Sequence, residues 1–284
     1  MRISETDLIL NKDGSVYHLH LLPSDIAGTV ILVGDPGRVP QVSKFFDKVE
    51  LKKHKREFVT HTGFIGKKRI SVVSTGIGTD NIDIVLNELD ALVNIDLEKR
   101  NIHPKKKSLQ LIRIGTSGAL QKEIPVDSLV VSAFGLGLDN LMHFYQTNFS
   151  KPEKSLMKEI SKQFQVDFLD PYLVSTQGKL IDKFSDFQSG ITATCSGFYG
   201  PQGRVLRADV KIKNILDRLQ KINCNGLRVT NFEMETSAIY GLAKILGHEA
   251  LSVNSIVANR ITKQFSKKAK VAMDKTIKTV LERI

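Results

Sequence analysis

The sequence contains only two cysteines among its 284 residues, Cys195 and Cys224. Two cysteines cannot build the disulfide framework of a small secreted protein. No apolar run approaches the roughly 20 residues that span a bilayer. The first residues, from Met1 to Asp7, also lack the apolar stretch of a secretory signal. These absences predict a reduced, cytoplasmic protein that does not enter a membrane.

The chain also lacks the glycine motifs of two large nucleotide-binding classes. Neither G-x-G-x-x-G nor G-x-x-x-x-G-K-[ST] occurs, so dinucleotide and nucleoside-triphosphate sites are poorly supported. The net charge of +11 raises the question of nucleic-acid binding. However, no helix-turn-helix spacing, zinc-ligand pattern or aromatic RNA motif accompanies the lysine clusters. We interpret these clusters as solvated surface, with attraction of small phosphorylated ligands as an alternative, and expect no nucleic-acid partner.

Short strand-like runs alternate with helix-like segments, which is typical of an α/β protein. Strands are predicted at 29–33, 69–74, 109–114, 129–132, 191–194 and 251–257. Helices are predicted from apolar residues at helical spacing within 82–93, 234–245 and 271–284. The polar segment 94–108 is predicted to be an exposed loop. Because no linker divides the chain, we predict a single domain over residues 1–284.

Three predicted strands end in turns of small residues, at 34–38, 74–79 and 115–118. Glycine lets backbone N–H groups approach an anion closely, and a following helix N-terminus adds a favourable dipole. Arg38 follows the first turn and Arg113 precedes the third, and an arginine fork holds phosphate oxygens well. One such turn is ordinary, but the combination favours an anion site at the strand ends.

Five motifs, taken in order, resemble the nucleoside phosphorylase family. That family includes uridine phosphorylases, hexameric purine nucleoside phosphorylases and nucleosidases. The motifs are Gly-Asp-Pro-Gly-Arg at 34–38, Arg-Glu-Phe at 56–58, Ser-Thr-Gly-Ile-Gly at 74–78, Arg-Ile-Gly-Thr-Ser-Gly at 113–118 and Asn-Phe-Glu-Met-Glu at 231–235. The resemblance implies a single α/β domain built on a mixed, barrel-like sheet flanked by helices.

The resemblance also implies a phosphate site. Gly34, Arg38, Arg113 and Thr116 match phosphate-binding positions of the family. Arg56 matches an arginine that reaches phosphate from the neighbouring subunit, although by itself it would be part of a solvated basic run. The implied partners are therefore a nucleoside, inorganic phosphate and a second copy of the chain. The minimal active unit would be a dimer, with a hexamer as the larger alternative.

Three further residues match ribose-binding positions. Met234 and Glu235 match the pair that holds ribose within a subunit, and a carboxylate, which only accepts hydrogen bonds, suits a vicinal diol. His18 matches a histidine that crosses the subunit interface to the ribose 5′-hydroxyl. Alone, Glu235 would be read as a carboxylate at a helix N-terminus, and His18 as a surface or core histidine.

The segment from Phe198 to Arg204 resembles the uracil-recognition loop of uridine phosphorylases, in which an aromatic residue precedes Gln-x-Arg. The Gln202 amide offers a donor and an acceptor, as an edge of uracil requires. Arg204 would donate to a carbonyl oxygen that gains charge as the base leaves, and Phe198 would lie against the base. Gly200-Pro201 replaces the Pro-Gly order common in the family. The alternative is a glycine- and proline-containing surface loop.

A second discriminator lies at Asn259-Arg260. Purine-acting relatives carry an aspartate that protonates the purine, and Asn259 matches that position, although asparagine cannot act as the acid. Arg260 resembles an arginine that fixes the base-recognition loop. The predicted reaction is thus uridine and phosphate to uracil and ribose 1-phosphate. The alternatives are a purine phosphorylase or nucleosidase of the same family, and a non-catalytic nucleoside-binding protein.

No cofactor beyond the phosphate co-substrate is required by the resemblance. A potassium ion is a weaker prediction, because Glu57 and Ile77 match metal positions of the family. The third position, a serine in the family, is matched by Asn81.

Overall fold

The computed structural model describes residues 2–284, which form fourteen strands and six α-helices. The strands are β1 (Thr29–Val33), β2 (Lys48–Lys55), β3 (Phe58–Ile65), β4 (Lys68–Ser74), β5 (Ile95–Asp96), β6 (Asn101–Ile102), β7 (Gln110–Ala119), β8 (Leu129–Leu138), β9 (Tyr172–Ser175), β10 (Gln188–Cys195), β11 (Asn223–Cys224), β12 (Leu227–Glu233), β13 (Glu249–Asn259) and β14 (Gln264–Phe265). The helices are α1 (Arg38–Ser43), α2 (Thr79–Asn94), α3 (Lys151–Phe164), α4 (Ile215–Lys221), α5 (Thr236–Leu246) and α6 (Ala269–Arg283).

Five strands close into a barrel-like ring. Going round the ring, β7 pairs with β13, β13 with β8, β8 with β10, β10 with β12, and β12 with β7. The last contact is short and antiparallel, and it places Phe232 opposite Gly118. Ring closure satisfies the backbone groups that an open edge would expose. The mixed, barrel-like sheet flanked by helices that the resemblance implied is therefore confirmed.

The sheet continues from the ring through β1. This strand lies between β7 and β4 and is parallel to both, and β3 and β2 then follow as antiparallel neighbours. Every residue of β1 is buried, as expected for a strand covered on both faces. Four parallel strands, β1, β4, β7 and β13, therefore end on the same side of the sheet.

Helices cover both faces of the sheet and form three buried apolar clusters with it. Helices α2 and α5 pack on one side, with Leu86 and Leu242 in their shared core. Helices α1 and α6 contribute to a second core, which includes Val42 and Ile277. Helices α3 and α4 close a third core beside β10 and β12. Within residues 2–284, no helix has the length and apolar character to cross a membrane.

The predicted strands and helices are all present, but several boundaries differ. The predicted turn at 115–118 is wrong, because β7 runs through it to Ala119. The helix predicted from residue 234 begins at Thr236, because β12 extends to Glu233. The predicted loop 94–108 contains the small hairpin of β5 and β6. The single domain over 1–284 stays a prediction.

Eight strands were not predicted from the sequence: the longer strands β2, β3, β9 and β12, and the two-residue strands β5, β6, β11 and β14. Strand β2 has the sequence Lys-Val-Glu-Leu-Lys-Lys-His-Lys and alternates between exposed and half-buried residues along its length. It lies at the edge of the sheet, where charged side chains protect unpaired backbone groups from other strands. A basic cluster that we interpreted as plain surface is thus an edge strand.

Candidate active site

A cavity of about 650 Å³ lies at the carboxyl ends of the strands. Its wall is built from residues that follow β1, β4 and β10 and from the last residues of β7, β12 and β13. Eleven of the predicted site residues line it, namely Gly34, Arg38, Glu57, Ile77, Arg113, Thr116, Phe198, Gln202, Arg204, Met234 and Glu235. His18, Arg56 and Arg260 lie outside this wall.

Arg113 is the buried cation of the cavity. It projects from β7, and its side chain is only 7% exposed. Its Nη2 atom lies 2.5 Å from Glu235 Oε2 and 3.1 Å from Glu233 Oε2. Its Nη1 atom donates to Asn254 Oδ1 at 2.7 Å. The guanidinium is therefore held by three side chains.

The two carboxylates dominate the electrostatics around Arg113. Burial alone would lower the pKa of Arg113, but the charges of Glu233 and Glu235 outweigh it and raise that pKa. Burial raises the pKa of Glu235, and repulsion by Glu233 adds to this, although Arg113 acts in the opposite direction. Because two carboxylates share one buried arginine, a second cation would be favourable at this end of the cavity.

Arg38 supplies that second cation. It is the first residue of α1 and lines the same cavity as Arg113. Its pKa is lowered by burial and then by the positive charge of Arg113, because both guanidinium groups face one space. Gly34 and Thr116 border that space. An anion between the two arginines would relieve the repulsion and replace lost hydration.

Glu235 lies where the cation cluster meets the rest of the cavity. It is the residue before α5 and is almost fully buried. Its Oε1 atom accepts a hydrogen bond from the Gly78 backbone N–H at 2.8 Å. Gly78 has a φ of 97°, a conformation that glycine adopts without strain. The start of α2, predicted as part of an anion turn, thus binds a protein carboxylate here.

The loop after β10 places three predicted base-binding residues in contact. Arg204 Nη1 donates to Gln202 Oε1 at 2.6 Å and to the Phe198 carbonyl at 2.7 Å. The Arg204 guanidinium carbon lies 3.7 Å from the centre of the Phe198 ring. Gln202 is buried, whereas Phe198 is 51% exposed at the cavity mouth. The side-chain oxygen of Gln202, Oε1, retains a second lone pair, and the side-chain amide nitrogen retains both N–H donors.

Arg260 lies behind this loop. Its Nη1 atom donates to the Gln202 backbone carbonyl at 3.3 Å, and its guanidinium carbon is 5.6 Å from the Phe232 ring centre. Burial, followed by the charge of Arg260, lowers the pKa of Arg204 to about 10. Arg204 is a half-buried cation, which favours a partner that carries negative charge.

The cavity wall also includes residues that were not assigned from the sequence, among them Phe232, Glu233, Val257 and Phe265. Phe232 was visible only as the second residue of the Asn-Phe-Glu-Met-Glu motif. Phe265 lies on the two-residue strand β14 and is 71% exposed, and no periodic signal marks so short a strand. Glu233 binds the backbone N–H groups of Glu235 and Thr236, so it caps α5.

His18 and Arg56 both lie beside Tyr17 and outside the cavity wall. The Tyr17 ring lies 4.8 Å from the His18 ring and 5.7 Å from the Arg56 guanidinium carbon. His18 Nδ1 lies 2.7 Å from Glu88 Oε1 on α2, so Nε2 is the ring nitrogen that could bind a ligand. Arg56 is exposed in the turn between β2 and β3, with a φ of 56°. Glu88 had no sequence signal beyond its place on α2.

Asn259, which matches the acid position of purine-acting relatives, lies outside the cavity wall. Its amide nitrogen donates to the carbonyls of Gln121 and Ile124, at 2.9 and 2.8 Å. Its oxygen accepts from the N–H groups of Ile261 and Thr262, both at 2.9 Å. All of these partners are backbone groups, so Asn259 fixes the end of β13.

Glu57, Ile77 and Asn81 share one wall of the cavity. The Asn81 amide nitrogen lies 3.4 Å from the Ile77 carbonyl oxygen. A donor therefore faces the carbonyl that would bind potassium, and the serine oxygen of the family is absent. The potassium site at Glu57 and Ile77 stays a prediction, and no step below uses a cation.

Comparison with known proteins places this architecture in a defined family. The phosphorylase superfamily profile matches residues 29–283. A uridine phosphorylase of Thermococcus kodakarensis is 32% identical over 264 residues, which cover 90% of this chain and 82% of that protein. A DeoD-type purine nucleoside phosphorylase of Bacillus thuringiensis is 27% identical over 240 residues, covering 84% and 85%.

A solved structure also matches this chain in its fold. The crystal structure of a Trypanosoma brucei nucleoside phosphorylase, described as showing uridine phosphorylase activity, superposes with a TM-score of 0.90 at 31% identity. The match covers 98% of this chain and 99% of that one. The protein belongs to the phosphorylase superfamily.

Proposed function

We propose that the protein is a uridine phosphorylase, which converts uridine and phosphate to uracil and ribose 1-phosphate. One observation carries the proposal. A pair of arginines, Arg38 and Arg113, shares one cavity with a Gln202–Arg204 pair suited to a uracil edge. Glu235 lies in the same cavity and suits the ribose hydroxyls. The relatives from Thermococcus and Trypanosoma support the same assignment.

Phosphate acts as the nucleophile in the proposed reaction. Arg38, Arg113 and Thr116, with the backbone at Gly34, hold it beside C1′ of ribose. A phosphate oxygen forms the new bond to C1′ as the bond from C1′ to N1 of uracil breaks. Holding the two reactants in line supplies much of the rate acceleration. The positive charge that develops on ribose is stabilised by the adjacent phosphate.

Uracil takes the bonding electron pair and leaves as a delocalised anion. Arg204 and the Gln202 amide donate to its carbonyl oxygens, and the second lone pair of Gln202 Oε1 accepts the base N–H. Phe198 and Phe232 offer apolar faces for the ring. Donors aimed at developing charge in a poorly hydrated site stabilise the transition state more than the ground state.

Glu235 and Met234 hold the ribose. The Glu235 carboxylate accepts from the ribose diol, and Met234 packs against the sugar. One Glu235 oxygen binds Arg113, so phosphate and Glu235 compete for the same guanidinium. Phosphate binding therefore frees an acceptor for ribose, and the two substrates assist each other's binding.

A panel of nucleosides in phosphate buffer tests the substrate. Uridine should be cleaved with a higher kcat/KM than inosine or adenosine, because the Gln202–Arg204 pair supplies the hydrogen bonds of a pyrimidine edge and no acid is assigned to protonate a purine. Phosphorolysis of a purine nucleoside is the second candidate function, motivated by the Bacillus thuringiensis relative. A preference for inosine would establish it and overturn the uridine assignment.

We also propose that the active unit is a dimer that shares its sites. His18 and Arg56 cluster around Tyr17 away from the cavity wall, as residues that serve a neighbouring subunit must. A two-fold dimer would use both residues twice.

Both cysteines are free and buried, which supports our proposal of a cytoplasmic location.

Subunit mixing tests the shared site. Arg56→Ala and Arg113→Ala proteins should each be nearly inactive. In a mixed dimer, one site keeps its own Arg113 and the partner's Arg56, so random exchange should restore about a quarter of parental activity. As a control, Arg113→Ala mixed with Arg38→Ala should restore none, because those two arginines line the same subunit's cavity. No recovery in the first mixture, with exchange demonstrated, contradicts the shared site.

A further inference from the structure

We propose that Asn254 is a positioning residue that aims the Arg113 guanidinium at the phosphate site. The inference rests on the proposed function, because it assumes that Arg113 binds phosphate. Asn254 lies near the middle of β13 and is fully buried. It is outside the cavity wall and so does not touch the substrates itself.

The contacts of Asn254 fix its orientation. Its Oδ1 atom accepts from Arg113 Nη1 at 2.7 Å. Its amide nitrogen donates to Ser132 Oγ and Ser252 Oγ, both at 3.3 Å. A guanidinium only donates hydrogen bonds, so the amide oxygen must face Arg113 and the nitrogen must face the two hydroxyls.

The two hydroxyls anchor this amide to other elements of the fold. Ser132 Oγ on β8 lies 2.6 Å from Thr192 Oγ1 on β10. Ser252 Oγ lies 2.8 Å from Thr236 Oγ1, at the start of α5. The acceptor of Asn254 is therefore held by a buried polar network across β8, β10 and α5. A fully satisfied network of this kind is rigid.

The neighbouring strand provides the space for this contact. In the parallel register of β13 and β7, Asn254 lies beside Gly115, and Ser252 lies beside Arg113. A Cβ atom at Gly115 would collide with the Arg113 guanidinium. The Arg113 side chain therefore crosses the bare backbone of Gly115, and its guanidinium contacts Asn254. Glycine and asparagine at these positions act together on one side chain.

The neutral amide suits a cation that must also bind an anion. Glu233 and Glu235 already place two carboxylates on Arg113. Asn254 orients the opposite side of the guanidinium without adding a third negative charge. When phosphate displaces Glu235, Asn254 keeps the Nη1 side in place. An aspartate at this position would orient Arg113 but repel phosphate.

The test compares Asn254→Ala, Asn254→Asp and Ser255→Ala. Ser255 is the matched control, because it is the next residue on β13 and its buried hydroxyl has no hydrogen-bond partner within residues 2–284. Both Asn254 variants should raise the KM for phosphate by about tenfold or more. The KM for uridine should change by less than about twofold. Ser255→Ala should match the parent in both constants.

Calorimetric titration of inorganic phosphate alone separates this inference from the proposed function. Folded Asn254 variants should bind phosphate about tenfold more weakly than the parent, whatever nucleoside the enzyme uses. Parental phosphate affinity in both folded variants would overturn the inference. The inference would also be overturned if Asn254→Ala and Ser255→Ala showed the same increase in both KM values and the same loss of thermal stability, since that pattern reflects packing. If the parent binds phosphate but does not cleave uridine, only the proposed function fails.

Discussion

Replacing Arg204 by alanine is expected to lower kcat for uridine phosphorolysis by about 10²–10³, with a much smaller change in the KM for uridine. Arg204 stacks on Phe198 and contacts Gln202 at the cavity wall. Its partner is a uracil oxygen that becomes negative only as the glycosidic bond breaks. The interaction is therefore stronger in the transition state than in the bound substrate, and its loss is seen mainly in kcat.

Arg207→Ala is the matched control for this experiment. Arg207 is an exposed arginine on the same loop and is not part of the cavity wall, so its loss should leave both constants unchanged. Phosphate binding should be parental in Arg204→Ala, because the phosphate site is built from Arg38 and Arg113. Unchanged kcat in folded Arg204→Ala protein would contradict the role of this loop in uracil departure.

Replacing Glu235 by glutamine is expected to lower kcat/KM for uridine by roughly 10²-fold, which corresponds to about 3 kcal/mol. The carboxylate is the proposed acceptor for the ribose diol, and charged hydrogen bonds of this kind are the stronger ones. Glutamine retains one acceptor oxygen but places an N–H₂ group against Gly78 or Arg113, which are both donors. Steady-state kinetics with varied uridine at saturating phosphate measures the effect. Glu98→Gln, which changes an exposed carboxyl elsewhere, should behave like the parent.

The same residue predicts the acidic side of the pH profile. Burial raises the pKa of Glu235 above the usual glutamate value, and Glu233 adds to the shift. Only the ionised form accepts from both ribose hydroxyls, so activity is present above this pKa and is lost as the pH falls through it. The acid limb of kcat/KM for uridine should therefore lie above the ordinary carboxyl range. An acid limb that persists unchanged in Glu235→Gln would assign it to another group.

The sequence predicted which residues share the cavity better than it predicted the local structure around them. Gly34, Arg113 and Glu235 belong to short motifs, and all three line one cavity because parallel strands end on the same side of the sheet. The glycine at 115 was interpreted as a turn. It lies instead within a continuous strand. It must lack a side chain because the guanidinium of the arginine two residues earlier lies over its backbone. The residue type was informative, but the geometric reason depended on the strand register.

The remaining site features depend on contacts between distant segments. Asn254 is separated from Arg113 by 141 residues, and Glu88 from His18 by 70, so no local pattern joins either pair. Asn259 shows the reverse case, because its position matches the acid of purine-acting relatives but its side chain binds backbone groups of neighbouring segments. Motif position alone does not determine which way a side chain points.

The measurement that tests the central claim most directly is uridine cleavage with and without inorganic phosphate, with both products identified. Uracil and ribose 1-phosphate should form in equal amounts when phosphate is present. Uracil release should be negligible in phosphate-free buffer, because the nucleophile is then absent from the site of Arg38 and Arg113. Equal uracil release without phosphate, with free ribose as the second product, would contradict phosphorolysis and identify a hydrolase.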